Sequence, residues 1–402
     1  MNNLIENTTC LACGGTHLIP SLDLGNQPLA NNLKDKPYKQ DTYPLGVNLC
    51  KDCCHLQLTH TVDPKIIYSN YLYVAGTSKT LKEYSKWFAG YVVENMDRQT
   101  GNVLDIGCND GTQLDCFKPY SLNTFGIDPA ENIHPTSSAK HDVICDYFGP
   151  NIIEKIHYNF DAITAQNVFA HNPNPIEFLQ TVKELMSDHT MLFIQTSQAD
   201  MVLNNEFDTI YHEHINFFNA NSMNELAKRA NLNLIDVIKT PIHGNSYIFV
   251  LSKIQKRTFN VENIIKNESK LLDLKTYKDW EQTVQSNMFE LKSVINTYKD
   301  QGYKVVGYGA AAKGNTLLNY IKEPLDLIID DSPLKHNLYS PGHNSPIKSI
   351  DVLKEYSKED KILFMPLAWN FFTEISNRIK VVRNEPQDLF LKYFPKVEIK
   401  NV

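Results

Sequence analysis

The pattern of hydrophobic and polar positions changes three times along the 402-residue chain. Residues 1–75 have weak periodicity and many turn signals. From 76 to 255, short apolar runs alternate with helical stretches, which is typical of a parallel sheet with helices on both faces. Residues 256–302 carry an apolar stripe at spacings of three and four, which predicts one long helix. The sequence thus predicts an α/β protein in three parts: a module over 1–75, an α/β domain over 76–255, and a helical connector with a second α/β domain over 256–402.

Short apolar runs predict strands in both α/β domains. In the first domain they are NVLDIG (102–107), NTFGID (123–128), DVIC (142–145), DAITA (161–165) and MLFIQT (191–196). In the second domain they lie in KVVGYGAAAKGN (304–315), LDLIIDD (325–331) and KILFMP (361–366). Each domain opens with a strand, a glycine turn and the start of a helix, so we expect two related Rossmann-like folds.

Composition narrows the class of protein. A net charge of −7 and an isoelectric point near 6 argue against a nucleic-acid partner, because phosphate contacts need a basic surface. The chain has neither a basic start followed by an apolar run nor 18 consecutive apolar residues. We therefore expect a cytoplasmic protein with no membrane partner.

Four of the eight cysteines form two C-x-x-C pairs, Cys10 with Cys13 and Cys50 with Cys53. In a cytoplasmic protein this spacing is typical of a metal site rather than of disulfides. Four thiolates complete a closed tetrahedral shell around Zn²⁺, which would hold together a module too irregular to bury much core. The sequence predicts a structural zinc site. The alternative is four free thiols, and the adjacent Cys54-His55 pair offers decoy ligands.

The stretch VLDIGCNDGTQL (103–114) predicts a ligand-binding turn. Gly107 and Gly111 let the chain turn tightly, and the next helix offers its N-terminal amides. A pyrophosphate-binding turn would read G-x-G-x-x-G. Here Asp105, Asn109 and Asp110 make the turn polar and acidic, and the negative charge of the two aspartates would repel a pyrophosphate. A cationic ligand with a ribose fits better, so the turn predicts S-adenosylmethionine (SAM).

Three further residues complete the predicted SAM site. Asp128 ends the next strand about twenty residues on, where a carboxylate can accept both ribose hydroxyls. Asp146, with Tyr147, follows the third strand and could flank the adenine, and Gln166 follows the fourth. The alternative is a structural turn, but such a turn would not need acid at both strand ends.

The second glycine turn, GYGAAAKG (307–314), leaves three interpretations open. Its G-x-G-x(4)-G spacing is longer than the dinucleotide fingerprint, although Asp330 follows at the distance that NAD binding requires. Alternatively, it could form a half-Rossmann platform for a nucleoside diphosphate, with Lys313 near the phosphates. It could also be a purely structural turn.

The segment YHEHINFF (211–218) also has three interpretations. On a strand, His212 and His214 would share a face and could both bind a metal. They could be two surface histidines at the junction of a strand and a loop. In a loop, Tyr211, Glu213 and the histidines could converge, and a carboxylate and an imidazole near one carbon can remove its proton. Periodicity does not choose among these.

The chain resembles the SAM-dependent nucleotide-sugar C-methyltransferases, which make branched deoxysugars. The resemblance spans the whole chain and rests on the C-x-x-C pairs, VLDIGCNDGT, NVFAHNPN, FDTIYHEHINFF, GYGAAAKGNTLLNY and PLAWNF. It implies a zinc module, a SAM-binding α/β domain and a C-terminal α/β domain. It also implies a nucleoside-diphosphate sugar bound in the cleft between the last two.

The resemblance implies roles for individual residues. His214 matches the family's base, with Tyr211 and Glu213 beside it, and His171 matches a further active-site histidine. Tyr71 or Tyr73 matches a tyrosine-rich segment near SAM and substrate. The chain departs from the family at HGNSYIFV (243–250), where the family has H-G-G-S-L-R: Asn245 replaces a glycine and the arginine is missing.

The expected activity is SAM-dependent C-methylation of C3 of a nucleotide-linked 4-keto-6-deoxy sugar through a base-generated enolate. O- or N-methylation of a sugar is the alternative enzyme activity, since an O–H or N–H acceptor also uses a base. A scaffolding protein with a relic SAM domain is the alternative outside enzymes. The nucleotide, the sugar, the stereochemistry and the oligomeric state stay open.

Overall fold

A computed structural model describes residues 4–68, 79–96, 100–197, 200–255 and 257–401. Tyr71 and Tyr73 lie outside the described residues. The strands are β1 (Leu4–Glu6), β2 (Leu18–Gln27), β3 (Tyr43–Cys50), β4 (Leu56–Leu58), β5 (His60–Val62), β6 (Asn102–Ile106), β7 (Asn123–Ile127), β8 (Asp142–Ile144), β9 (Phe160–Gln166), β10 (Met186–Thr196), β11 (Asn216–Phe217), β12 (Asn233–Thr240), β13 (Ser246–Ser252), β14 (Lys304–Tyr308), β15 (Leu327–Ile329), β16 (Ile347–Lys348), β17 (Ile362–Pro366), β18 (Leu389–Lys392) and β19 (Glu398–Lys400). The α-helices are α1 (Pro64–Tyr68), α2 (Lys79–Asn95), α3 (Thr112–Asp115), α4 (His134–Ser138), α5 (Pro175–Leu185), α6 (Ala220–Arg229), α7 (Phe259–Asn267), α8 (Leu274–Asp300), α9 (Ala312–Ile321) and α10 (Phe372–Val382).

The middle of the chain forms a seven-stranded sheet in the order β12-β13-β10-β9-β6-β7-β8. Strands β8, β7, β6, β9 and β10 are parallel, whereas β13 is antiparallel to both of its neighbours. The chain leaves β6 toward β7 on one side and returns to β9 on the other. The carboxyl ends of β6 and β9 therefore border the crevice where open α/β sheets bind ligands. The Rossmann-like fold expected for this domain is confirmed.

The N-terminal sheet borrows a strand from the middle of the chain. Its order is β11-β4-β3-β2, and β11 pairs with β4 through the registers Asn216 with Gln57 and Phe217 with Leu56. Just before β11, the Leu58 amide donates to the Ile215 carbonyl at 2.9 Å. The segment that contains His214 thus leads directly into the sheet of the N-terminal module.

The C-terminal sheet has the order β16-β15-β14-β17-β18-β19, with β14 at its centre. Only β19 is antiparallel to its neighbour. The strands predicted in this part of the chain all form, and the glycine turn follows β14 as expected. Among the described residues, no helix is long and apolar enough to cross a membrane.

The single long helix predicted over 256–302 is wrong, because two helices occupy this range. Helix α7 ends at Asn267, and a 3₁₀ turn over Glu268–Leu272 separates it from α8. Asp273 has extended backbone, and its carboxylate accepts a hydrogen bond from the Lys275 amide at 2.9 Å, which caps α8. Glu268 is buried, and its carboxylate accepts a hydrogen bond from the Ala220 amide at the N-terminus of α6, which offsets the cost of its burial.

Helix α8 packs its apolar stripe into a core shared with the N-terminal and C-terminal sheets. The largest buried side chain of this stripe is that of Trp280, which is 1% exposed. Its indole N–H donates to the Glu206 carbonyl at 2.9 Å, in the loop that precedes the YHEH segment. The buried aromatic residues of α8, Tyr277 and Trp280, therefore belong to the core.

Trp280→Ala should strongly destabilise this core. Removing a buried Trp costs about 3–5 kcal/mol, and here it also leaves a buried carbonyl without its donor. Phe289→Ala is the matched control, because Phe289 lies on the same helix with its side chain 78% exposed. Its effect should stay within about 0.5 kcal/mol. Urea unfolding followed by tryptophan-independent far-UV circular dichroism compares the two, and equal midpoints would contradict the assignment of Trp280 to the core.

Candidate functional site

The four cysteines of the two C-x-x-C pairs meet at one point. Their sulfur atoms all lie within 4.8 Å of one another. The Sγ atoms of Cys10 and Cys53 are 3.6 Å apart, and those of Cys13 and Cys50 are 3.5 Å apart. Zn–S bonds of about 2.3 Å in a tetrahedron place sulfurs about 3.8 Å apart, so the cluster fits Zn²⁺. Backbone amides of Cys13 and Gly15 point at two of the sulfurs, as expected around thiolates.

The side chains of Cys54 and His55, which follow Cys53 directly, have other partners than the cysteine cluster. The Cys54 side chain packs in the hydrophobic core, and burial raises the pKa of its thiol to about 11. The His55 imidazole contacts the Asn216 side-chain oxygen through Nε2 at 3.1 Å, and it packs on Phe218. His55 therefore connects the N-terminal module to β11 and does not serve as a metal ligand.

The glycine turn after β6 brings five of the predicted SAM residues together. Gly107 has φ +74°, and a Cβ there would meet the Val168 side chain at 2.3 Å, so only glycine fits. Its amide donates to the Ile127 carbonyl at 2.7 Å, which joins the turn to the end of β7. Asn109 and Gly111 also have positive φ, and helix α3 begins directly after Gly111.

Two carboxylates border this turn in different environments. Asp105 is buried at the end of β6, and burial, with the nearby Asp128 carboxylate, raises its pKa to about 7 even though the Thr164 hydroxyl donates to it at 2.6 Å. Asp128 accepts from the amides of Asn109 at 2.8 Å and Ala130 at 2.9 Å. Burial raises the pKa of Asp128, and these amides oppose the rise. Asp128 therefore fixes the shape of the turn.

The other two predicted SAM residues lie at the same edge of the sheet. Gln166 ends β9, and its side-chain amide donates to the side-chain oxygen of Gln113 at 3.0 Å. Asp146 follows β8, two strands from β6, and binds the Lys155 ammonium at 2.6 Å. This ion pair lowers the pKa of Asp146. Tyr147 beside it is half exposed.

The YHEH segment is a turn, not a strand, and it places Tyr211 against His214. The Tyr211 hydroxyl lies 2.7 Å from Nε2 of His214, whereas Nδ1 of His214 lies 2.8 Å from the Thr209 carbonyl. A carbonyl only accepts, so Nδ1 carries the proton and Nε2 is the basic nitrogen. The His171 ring lies 5.0 Å from the His214 ring between centroids, and burial lowers its pKa to about 4. Tyr211, His214 and His171 therefore form one cluster.

Glu213 points to a different partner. Its side chain is 7% exposed, and the side-chain amide of Asn31 donates to it at 2.6 Å. Burial raises the pKa of Glu213 to about 7, although the Asn31 hydrogen bond lowers it. The described contacts that orient His214 come from Thr209 and Tyr211. Thr209 and Asn31 carried no signal in the sequence, since one acts through its backbone and the other lies far away in the chain.

His212 and His214 do not share a face. His212 Nε2 contacts the Tyr43 carbonyl at 3.3 Å in the N-terminal module, and burial lowers the pKa of His212 to about 4. The turn aims the two imidazoles at different surroundings, which does not suit shared metal ligation. Within the described ranges, the group of side chains that suits a metal is the cysteine cluster.

The second glycine turn differs from a dinucleotide site. Asp330 accepts from the Ala310 amide at 2.8 Å and contacts the Lys335 ammonium at 3.3 Å. It thereby uses the turn amide that a pyrophosphate would need, which disfavours NAD binding. Lys313, in the first turn of α9, lies 5.5 Å from the Trp369 ring centroid, and Gly244 approaches both side chains. The HGNS segment therefore faces the start of α9.

The departure from the family motif has a structural counterpart in this segment. Asn245 has φ +141°, a conformation that favours glycine. Ile248 stands where the family has arginine, and it is fully buried against α2 with Phe193 and Val250. Ser246 keeps its place, and its hydroxyl accepts from Gln195 at 2.7 Å.

Cys50→Ser should remove zinc from the protein, because serine supplies no thiolate to the tetrahedral shell. The purified wild-type chain should contain about one zinc per molecule, measured by inductively coupled plasma mass spectrometry. Cys145→Ser is the control, since Cys145 is an exposed thiol outside the cluster. Equal zinc content in the two variants would contradict the four-cysteine site.

Two relatives of known activity resemble this chain. "C-methyltransferase NovU" of Streptomyces niveus is 26% identical over 388 residues, which cover 92% of each protein. The "Ubiquinone biosynthesis O-methyltransferase" of Glaesserella parasuis is 30% identical over 105 residues, 23% of this chain and 44% of that protein. Among solved structures, a SAM-dependent methyltransferase from Clostridium acetobutylicum matches 47% of this chain and 94% of its own, with 13% identity and a TM-score of 0.35.

Three family models match consecutive parts of the chain. They are described as "Putative zinc binding domain" over residues 10–68, "Methyltransferase domain" over 80–237 and "C-methyltransferase C-terminal domain" over 241–393. Their order is the one that the sequence motifs predict, and NovU aligns along nearly the whole of it. The chain therefore combines these three kinds of domain in one order, and it is a SAM-dependent methyltransferase with an N-terminal zinc module.

Proposed function

We propose that this enzyme methylates C3 of a nucleoside-diphosphate 4-keto-6-deoxy sugar, bound in the cleft between the SAM domain and the C-terminal domain. The observation that carries the proposal is the hydrogen bonding of His214. Thr209 holds Nδ1–H, which leaves the lone pair of Nε2 directed at the Tyr211 hydroxyl. A neutral imidazole with a fixed tautomer is suited to remove a proton from a carbon beside a ketone.

The side chains around His214 are suited to stabilise the charges that form on the ketone oxygen and on the imidazole. In the proposed reaction the C3–H proton passes to Nε2 of His214, and the electron pair spreads onto the ketone oxygen. Rotation of the Tyr211 hydroxyl toward that oxygen would donate a hydrogen bond to the enolate. His171 stays neutral near pH 7 because burial lowers its pKa to about 4, so it can also donate without adding charge. Glu213 would balance the imidazolium that forms on His214.

The turn after β6 supplies the cofactor site in this proposal. Asp105, Gly107, Asn109 and Gly111 form its floor, and Asp128 presents its carboxylate at the end of β7. The list of proposed SAM-binding residues is completed by Asp146 and Gln166. SAM supplies the methyl group, so that a C–C bond forms at C3, the S–CH₃ bond breaks and S-adenosylhomocysteine leaves.

The C-terminal domain is the proposed support for the nucleotide. Lys313 is a cation near the start of α9, beside Trp369 and the HGNS segment. A diphosphate near this helix N-terminus would meet both the lysine and the helix dipole. The buried Ile248, in place of the family's arginine, points to a sugar or nucleotide contact that differs from that of other members.

His214→Asn should abolish methyl transfer while SAM affinity stays within about twofold of wild type. The Asn side-chain amide can keep the bond to the Thr209 carbonyl, but it has no basic nitrogen in the place of Nε2. His212→Gln is the matched control, because Gln can keep the Nε2 contact with the Tyr43 carbonyl. Product mass with a panel of nucleotide-linked 4-keto-6-deoxy sugars, and calorimetry with SAM, measure the two effects. Turnover by His214→Asn would contradict the role of His214.

The position of methylation has its own test. If His214 forms a C3 carbanion, the wild-type enzyme should exchange the C3 hydrogen of the keto sugar for deuterium in D₂O without SAM, and His214→Asn should not. The methylated product should resist acid and base, with the new methyl on a ring carbon in NMR spectra. A methyl group on oxygen or nitrogen, or turnover without any C3 exchange, would overturn the enolate mechanism.

A further inference from the structure

A short loop of the zinc module reaches both other parts of the chain. The loop comprises residues 28–32, the first part of the connection 28–42 between β2 and β3. The Asn315 side-chain amide, in α9 of the C-terminal domain, donates to the Ala30 carbonyl at 2.7 Å. The next residue, Asn31, donates from its side-chain amide to Glu213 Oε1 at 2.6 Å. Two consecutive residues thus connect the zinc module to the C-terminal domain and to the YHEH turn.

The YHEH turn is fixed at both ends around Glu213. Before it, the Ile210 carbonyl accepts from the Thr316 hydroxyl of α9 at 3.1 Å. After it, the Ile215 amide donates to the Ala170 carbonyl at 2.9 Å, next to His171. Since the backbone is held by these contacts, the position of the Glu213 carboxylate depends on its side-chain partner. That partner, Asn31, is itself exposed, so its contact with Glu213 lies at the border between the protein interior and solvent.

The hydrogen bond from Asn31 affects the ionisation of the Glu213 carboxylate. A carboxylate buried to this degree is costly to ionise without a donor. Two influences act on the pKa of Glu213: burial raises it to about 7, and the Asn31 amide lowers it. Tyr211, His212 and His214 are the titratable residues around it in the turn, and burial lowers the pKa of His212 to about 4, so His212 is uncharged near neutral pH. Asn31 itself is uncharged. The ionised fraction of Glu213 near neutral pH is therefore sensitive to one hydrogen bond.

We propose that Asn31, supplied by the zinc module, is a positioning residue that holds the Glu213 carboxylate ionised and in place in the YHEH turn, where Glu213 directly precedes His214 in the chain. The importance of this contact for turnover rests on the proposed function, in which His214 takes a carbon-bound proton. The N-terminal module then contributes to the active site as well as to stability. Zinc bound by the cysteine cluster stabilises the module from which Asn31 reaches Glu213.

The contact is tested first without substrate. In protein labelled with ¹³C at the glutamate carboxyl carbons, the Glu213 signal is identified by its loss in Glu213→Gln. Asn31→Ala should move the titration of this signal to higher pH, and Asn31→Asp should move it further because it adds a second carboxylate. Asn32→Ala, the neighbouring substitution in the same loop, should leave it in place. An unchanged titration in both Asn31 variants would overturn the proposal.

The effect on catalysis is measured with the keto-sugar panel. Asn31→Ala should lower kcat at pH 7 about tenfold, the scale of one lost hydrogen bond to a charged group, with KM for SAM unchanged. Because Glu213 would ionise only at higher pH, the rising limb of the kcat profile should shift upward and activity should recover at alkaline pH. A loss of activity equal at all pH values would overturn the positioning role.

The two proposals fail in different ways. If His214→Asn still turns over, the proposed function fails, yet the glutamate titration still decides whether Asn31 controls Glu213. If His214→Asn is inactive while Asn31→Ala keeps wild-type kcat and pH profile, the proposed function stands and the role of Asn31 is overturned. Thermal unfolding of Asn31→Ala and Asn32→Ala should coincide, which separates a local effect on Glu213 from loss of the fold.

Discussion

The pairing of β11 with β4 is the interaction on which the rest of the site depends. It joins backbone from the methyltransferase domain to the sheet that leads into the cysteine cluster, and it does so immediately after His214. The His55–Asn216 contact, within β11, and the bond from Asn219 to the Cys54 carbonyl, just after β11, reinforce the joint. Because backbone pairing fixes the residues beside it, this joint restrains the turn that carries Tyr211 and His214. The zinc module is thus hydrogen-bonded directly to the segment that follows His214.

This joint explains why a small irregular module is attached to a methyltransferase fold. The parallel sheet brings the ends of β6 and β9 together, where Asp105 and Gln166 lie, but it does not by itself position the YHEH turn. That turn is held from three directions: Ala170 from the methyltransferase domain, Thr316 from the C-terminal domain and β4 from the zinc module. The cluster of Tyr211, His214 and His171 therefore lies where the three parts meet.

The parts of the fold that could be predicted are those in which a local pattern has a direct physical meaning. Two C-x-x-C pairs place four thiolates together. Gly107 marks a tight turn in which there is no space for a side chain. The partners of the YHEH residues could not be predicted, because the same letters allow a strand or a turn. Asn31 lies 182 residues from Glu213, a distance at which spacing carries no information. The break between α7 and α8 could not be predicted, because helical periodicity continues on both sides of it. The capping role of Asp273 is visible only in the structure.

The borrowed strand also has a consequence for biogenesis. His55 and Asn216 are 161 residues apart in the chain, so β4 leaves the ribosome long before the strand that covers its edge. Until then the N-terminal sheet exposes unpaired backbone groups and the apolar residues that later contact the methyltransferase domain. A long-range pairing of this kind slows folding and leaves a vulnerable intermediate. Early capture of zinc by the nascent module would give that intermediate a stable structure to which the rest of the enzyme can add.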